Sequence, residues 1–369
     1  MTRPPQIEDA LWRALAARGE VQGEPAFAVR TPWAVRALMG AAGWLGALFF
    51  QLFIVGGVFA AVRGNGFGIA VTGIAMVALA AVLYRRDHGI ALGQFALAVS
   101  LGGQGLAIFG VAEGLGLGNL AETTGFWAGV AAFEAVLYVA IPNRLHRLLA
   151  ALGIWACVAA ILDIALVPAG SHVWLHLSPG LGWIVPLACA LATWFTLAEA
   201  RLCADARHAL LEPAADATLL AALGAALLVT GTSHPLAFLD AGQPAPLPSA
   251  TGILTGVVLA GFALAECRRL AYRAGTTVAV VLAALAFSLP MFAAPAVSAG
   301  GLAMGLALRR ASLAWLGLGI AAILAGFVWY YSALQWTLLA KSATLVAAGV
   351  VLLGARQWLL RAAPVKEAA

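Results

Sequence analysis

Charge is what this 369-residue chain has least of. Only 10% of its residues are charged, against about 25% in an ordinary soluble domain, while 63% are hydrophobic. Mean hydropathy is +0.96. The ratio of surface to volume falls too slowly with mass for a water-soluble fold of this size to hide so much apolar surface. The surroundings of most of the chain are therefore hydrocarbon. Cysteine is nearly as scarce. Cys157, Cys189, Cys203 and Cys267 have no CxxC spacing and fall in or beside apolar segments, which marks them as small packing residues and not a disulfide or metal framework. No Walker, HExxH or GxSxG pattern occurs, and no polar segment is long enough for a separate catalytic domain. GNGFG at 64–68 is glycine-rich, but it lacks the GxGxxG spacing and follows an apolar run instead of a strand. No catalytic, cofactor-binding or metal-binding set is expected. The start of the chain has no early apolar core of a signal peptide.

What is present is a series of apolar runs. They lie at about 33–62, 66–84, 90–111, 125–141, 148–167, 181–200, 217–232, 251–267, 275–292, 295–308, 312–331 and 337–358. A span needs about 20 residues, and in lipid each must be a helix because no water is available for free backbone groups. Alternating ten-residue strands, as in a barrel, are absent from the pattern. The expected architecture is an all-α polytopic bundle of about ten to twelve spans over residues 33–360. An N-terminal cytoplasmic or interfacial segment, 1–32, precedes it and a tail, 361–369, comes after it. In the first segment Ile7, Leu11 and Leu15 recur at helical spacing with Trp12 beside them, and Gly19 ends the pattern, so one short amphipathic helix is expected. Runs 275–292 and 295–308 are short and carry Pro290 and Pro295 at their junction. They read either as two spans or as a hairpin that dips in and returns, and both choices leave the parity unchanged.

Net charge is +5, and its placement matters more than its sum. Nineteen of the 21 basic residues fall on one face if the N-terminus is cytoplasmic. They include Arg85 and Arg86, Arg144 and Arg147, Arg201 and Arg207, Arg268 and Arg269, and Arg309 and Arg310. Loops 112–124, 168–180, 233–250 and 292–295 have none. Basic residues accumulate on cytoplasmic loops, so both termini are expected inside, in the inner membrane of a bacterium. The exceptions are Arg63, in the GNG turn, and Lys341. A basic chain raises nucleic acid as a partner, but arginines confined to membrane-proximal turns point to the bilayer instead.

Three ionisable side chains stand out by depth. Glu134 is near the middle of its run, where an uncompensated charge costs at least about 2.5–3.5 kcal/mol. It is either a proton or cation site, or a protonated carboxyl bonded to a neighbouring helix. Asp163 and Lys341 sit at similar outer depth and are expected to pair, unless Lys341 snorkels to the surface beside Trp336. Gln51, Gln94 and Gln104 read as interhelical glue. His172, His176 and His234 are all predicted outside, but without acidic or cysteine ligands they make a poor metal set. Gly252–Gly256 and Gly301–Gly305 fit GxxxG and predict close helix packing within the chain.

TPWAVRALMGAAGWLGALFF at 31–50, YYSALQWTLLAKSATLVAAGVVLL at 330–353 and the opening LWRALAARG at 11–19, of the pattern LWxALxxxG, resemble a bacterial inner-membrane family, domain of unknown function 4401. That resemblance implies no activity. It does imply company: another multi-span envelope protein, and a small companion with a GDYxxLxY motif. The expected role is a membrane subunit or scaffold of an envelope complex. The alternative is a transporter or channel for a small solute or ion that uses an intramembrane carboxylate.

Overall fold

The computed structural model describes residues 12–19, 32–62, 65–86, 89–117, 123–166, 179–204, 208–230, 248–288 and 291–333, with scattered positions beyond. All regular structure among them is helical. A short helix, α1, covers residues 12–17, and Gly19 sits just after it in the left-handed region (φ 72°), donating its N–H to Ala16 at 3.0 Å. The expected stop at Gly19 is therefore a left-handed helix end; Ile7 and Leu11 lie outside the described residues. Eleven more helices follow among the described residues up to 333: α2 (Trp33–Val62), α3 (Gly66–Arg85), α4 (Ile90–Gly114), α5 (Thr124–Ala140), α6 (Arg144–Leu166), α7 (Pro179–Ala204), α8 (His208–Leu228), α9 (Pro248–Arg269), α10 (Ala274–Ser288), α11 (Pro295–Arg310) and α12 (Leu313–Ala333). Eight of the described helices are long and apolar enough to cross a membrane. This is the all-α polytopic bundle that the apolar runs demand.

The chain divides into two compact units. The first comprises Met1–Arg63 and Ala75–Gln104. Its helices meet through small residues and amides. A Cβ on Gly43 would overlap the carbonyl of Ala91, and Gln51 donates Nε2 to the Ala98 carbonyl at 2.6 Å. Trp44 Nε1 donates to Gln94 Oε1 at 3.1 Å. Gln51 and Gln94 are thus the glue expected of them, whereas Gln104 donates to Ser100 one turn back on its own helix, at 3.1 Å. Inside hydrocarbon such amides bond one another because lipid offers no alternative.

The second unit comprises Gly64–Ile74 and Gly105–Ala369. Its core is built around α11. Pro295, Val297, Leu302, Ala303, Leu306 and Ala307 of this helix are all buried, and it packs on α7, α8, α9 and α12. Small residues bring the neighbours in. A Cβ on Gly252 would overlap the Phe292 backbone, one on Gly256 would sit 2.7 Å from Ser288 Cβ, and one on Gly305 would sit 2.6 Å from Phe262 Cε1. Both GxxxG pairs therefore serve packing within the chain, as expected.

The α10–α11 pair is now defined. α10 has 15 residues and α11 has 16, about 22–24 Å each. α11 lies against α9 at both ends: Phe292, just before it, meets Gly252, and Arg309 at its last turn pairs with Glu266. α11 therefore runs alongside α9 from near its first turn to near its last. α11 can be short because almost none of it faces outward.

One boundary differs from the sequence reading. The apolar run begins at 217, but α8 begins at His208 and carries Glu212, Pro213 and Asp216 into its opening turns. Partners from other helices hold those acids.

Candidate functional site

α5 and α6 are joined by Ile141-Pro142-Asn143. The residue before a proline is pushed out of the helical region, and Ile141 is extended (φ −103°, ψ 110°). Asn143 then starts α6 by accepting the His146 N–H on Oδ1 at 2.9 Å. The tight connection lays α5 antiparallel on α6. That pairing sets Glu134 against Gly153. A Cβ on Gly153 would stand 3.4 Å from Glu134 Cγ and 3.5 Å from Cδ, so the missing side chain makes room for the carboxyl. Glu134 is 5% exposed, and its Oε2 is sealed with no hydrogen-bond partner among the described groups. It lies ten residues from the start of α5 and six from its end, about 15 and 9 Å, so about half a turn from the middle of the helix toward the arginine-bearing end.

One turn on from Glu134, Tyr138 donates its hydroxyl to the Leu210 carbonyl of α8. Arg147 donates Nε to the Tyr138 carbonyl and an Nη to the Ala209 carbonyl, both at 3.0 Å. These bonds tie α5, α6 and the start of α8 together at one level.

The same level holds a chain of charges that the sequence did not single out. Arg144 reaches Glu212 Oε1 at 2.9 Å and Asp216 Oδ2 at 3.0 Å. The other oxygen of Asp216 accepts Trp315 Nε1 at 2.8 Å. The guanidinium of Arg310 lies 4.4 Å over the Trp315 ring and donates to Glu199 at 3.2 Å. α6, α8, α12, α11 and α7 are thereby joined in sequence. Beside them Glu266 of α9 bonds both Arg309 and Arg269. Apart from Glu266–Arg269, which lies within α9, each contact links two helix ends that the charge alternation assigns to the same face. The only advance signal was the coincidence of acids and arginines at those ends. Their pairing needs the helices' neighbours, which a linear pattern does not give.

The remaining candidates are dispersed. Asp163 is half-buried in the last turn of α6, where a Cβ on Gly180 of α7 would come 2.9 Å from its backbone nitrogen. Lys341, the partner expected for it, lies outside the described residues, as do Arg63, His172, His176 and His234. Among the described residues no group of three or more His, Cys, Asp or Glu side chains is placed to hold a metal ion. Beyond residue 333 the described positions include Leu339, Val346, Val350 and Leu353, all helical and 62–82% exposed.

Two larger cavities open in the second unit. One, of about 470 Å³, is lined by side chains such as Ile74, Ile108, Val111, Phe126 and Phe133. The other, of about 620 Å³, lies among α5, α6, α7 and α8, with Trp155, Leu187, Trp194 and Phe195 in its walls. Both are apolar, and Glu134 lines neither.

No curated protein and no solved structure matches the chain. A family model does match, over residues 32–362, which is nearly the whole length, and its description is domain of unknown function (DUF4401). The chain belongs to that family.

Proposed function

We propose that this multi-pass membrane protein is a non-catalytic subunit that assembles with other membrane proteins of a bacterial envelope. The observation that carries this reading is the character of its interior. Among the described residues the ion pairs of the second unit lie at helix ends, its two larger cavities are lined mainly by apolar side chains, and the deep carboxylate of Glu134 is closed against Gly153. A solute path through a bundle needs polar lining along its length. The exposed positions Leu339, Val346, Val350 and Leu353 recur at spacings of three, four and seven and supply an apolar helix face of the kind a neighbouring span packs on. The test is co-purification after mild detergent extraction. Val346→Trp with Val350→Trp is expected to lose a partner that the parent retains, at unchanged thermal stability. Full retention of every partner by that variant contradicts the proposal.

One observation favours a second reading, a proton-coupled carrier. Glu134 Oε2 is buried without a bond to offset its desolvation, and an intramembrane acid is a functional candidate by default. In that case Glu134→Gln abolishes solute or proton flux in reconstituted vesicles while the protein stays folded. The subunit reading predicts no difference between that variant and the parent.

A further inference from the structure

Past one end of the 620 Å³ groove each of two walls carries an arginine, Arg147 one turn beyond the lining of α6 and Arg201 nearly two turns beyond that of α7, and the inference drawn from them goes beyond the subunit reading. On α7 the wall residues Leu187 and Trp194 are seven apart, so they share a helix face, and both are half exposed. Seven residues further along the same face is Arg201, which is exposed and makes no ion pair among the described residues. On α6 the wall is Ala151, Ile154, Trp155 and Val158. One turn before Ala151 is Arg147, whose bonds to the Tyr138 and Ala209 carbonyls use Nε and Nη1 and do not engage Nη2. α6 begins and α7 ends at this level, so the two antiparallel walls each close on an arginine. Of the acids nearby, the described ones are engaged: Arg144 holds Glu212 and Asp216, and Arg310 holds Glu199; Asp205 lies outside the described residues.

From Leu187 to Arg201 is 14 residues, about 21 Å of rise. One leaflet, headgroup included, is about 20–22 Å deep. The groove itself is lined on α7 from Leu187 to Phe195, about 12 Å of that rise, and mainly by apolar side chains, with the indole of Trp194 toward the arginine end. The first groove, of 470 Å³, is equally apolar, but the neighbouring connection 112–124 contains no basic residue. Apolarity alone does not distinguish the two; the paired arginines do.

We infer that the groove between α6 and α7 is a binding site for one anionic phospholipid of the arginine-side leaflet, its acyl chain against Trp155, Leu187 and Trp194 and its phosphate between Arg147 and Arg201. Guanidinium groups bond phosphate oxygens through charge-assisted hydrogen bonds, and each cation near the surface favours an anionic headgroup. A zwitterionic lipid offers the same tail and forfeits most of that attraction.

Native mass spectrometry of the full chain in detergent, with phosphatidylglycerol or phosphatidylcholine added, reads the preference directly. The parent is expected to retain one phosphatidylglycerol in preference to phosphatidylcholine by roughly tenfold. Arg201→Gln, at an exposed position, lowers the preference by about fivefold with an unchanged melting temperature. Ala190→Phe fills the groove from its exposed wall and removes the bound lipid while leaving both arginines in place. Equal retention of the two lipids by the parent overturns the site. So does an undiminished preference in Ala190→Phe, which would mean a surface phosphate contact without a seated chain. Loss of the adduct on adding inorganic phosphate alone overturns it in the same way. Because the readout is lipid mass, it stands or falls independently of whether a protein partner co-purifies.

Discussion

Asp216 is the residue on which most helix ends converge. It accepts from Trp315 with one oxygen and pairs with Arg144 through the other, and its side chain is only 18% exposed. Replacing it with alanine leaves the Trp315 N–H and part of the Arg144 guanidinium without partners in a partly buried layer. A loss of about 1–3 kcal/mol is expected, measured by thermal or denaturant unfolding in detergent. Trp315→Phe keeps a ring beneath Arg310 but deletes the donor, so Asp216→Ala with Trp315→Phe should cost less than the two single changes added. Strict additivity would mean that the bond contributes nothing. Gly153 is the second informative residue. Alanine there brings its Cβ to 3.4 Å from Glu134 Cγ, a contact that a small shift of the carboxyl relieves. Leucine cannot be placed without displacing Glu134, and about 1–3 kcal/mol of overpacking cost is expected. If Gly153→Leu is as stable as the parent, Glu134 is not closed against α6.

Among the elements, glycine marks which helix faces touch and which do not. Gly66 and Gly110 let α3 and α4 approach until a Cβ on either would overlap the opposite backbone, at Gly114 and Ala70. Gly110→Val should therefore destabilise the protein. Gly224 of α8 has nothing within 4 Å of where its Cβ would be. Gly224→Ala there should stabilise by about 0.5–1 kcal/mol, the ordinary helix-propensity gain, and a loss instead would place a further neighbour on that face. This level also shows how far a linear reading reaches. Eleven of the apolar runs become α2 to α12 with ends displaced by a few residues, because hydrocarbon forces a helix wherever polarity is missing long enough. The exception at α8 is instructive. Glu212 and Asp216 look like loop residues in a hydropathy trace, but partners at least 68 residues away in sequence, Arg144 for both and Trp315 for Asp216, hold them within the helix. Glu134 was legible as a deep acid, but its facing residue was not, since a glycine in an apolar run carries no periodic signal. The α7 stripe ending in Arg201 was open to view as a seven-residue repeat, yet it means something only once α6 lies beside it.

At the scale of the molecule, the contacts and the charge pattern agree through independent routes. The alternation of basic and bare connections assigns helix ends to two faces from composition alone. The ion pairs Arg144–Asp216, Arg310–Glu199 and Arg309–Glu266 each join ends of the same assignment, and at the opposite face Thr251 of α9 donates to the Gly182 carbonyl of α7 at 3.0 Å. A bundle with one connection misassigned would have to bond across its full thickness. The agreement puts the arginine-bearing ends of the second unit's helices on one face, the face that the rule for basic connections would make cytosolic. It is tested most directly by cysteine accessibility in intact cells, with the four native cysteines replaced. Leu270, half exposed among Arg268, Arg269 and Arg273, and Leu115, exposed at the far end of α4, are the positions to compare. A membrane-impermeant maleimide is predicted to label Leu115→Cys in intact cells and Leu270→Cys only after the membrane is opened. Equal labelling of the two from outside, or the reverse order, would contradict the arrangement.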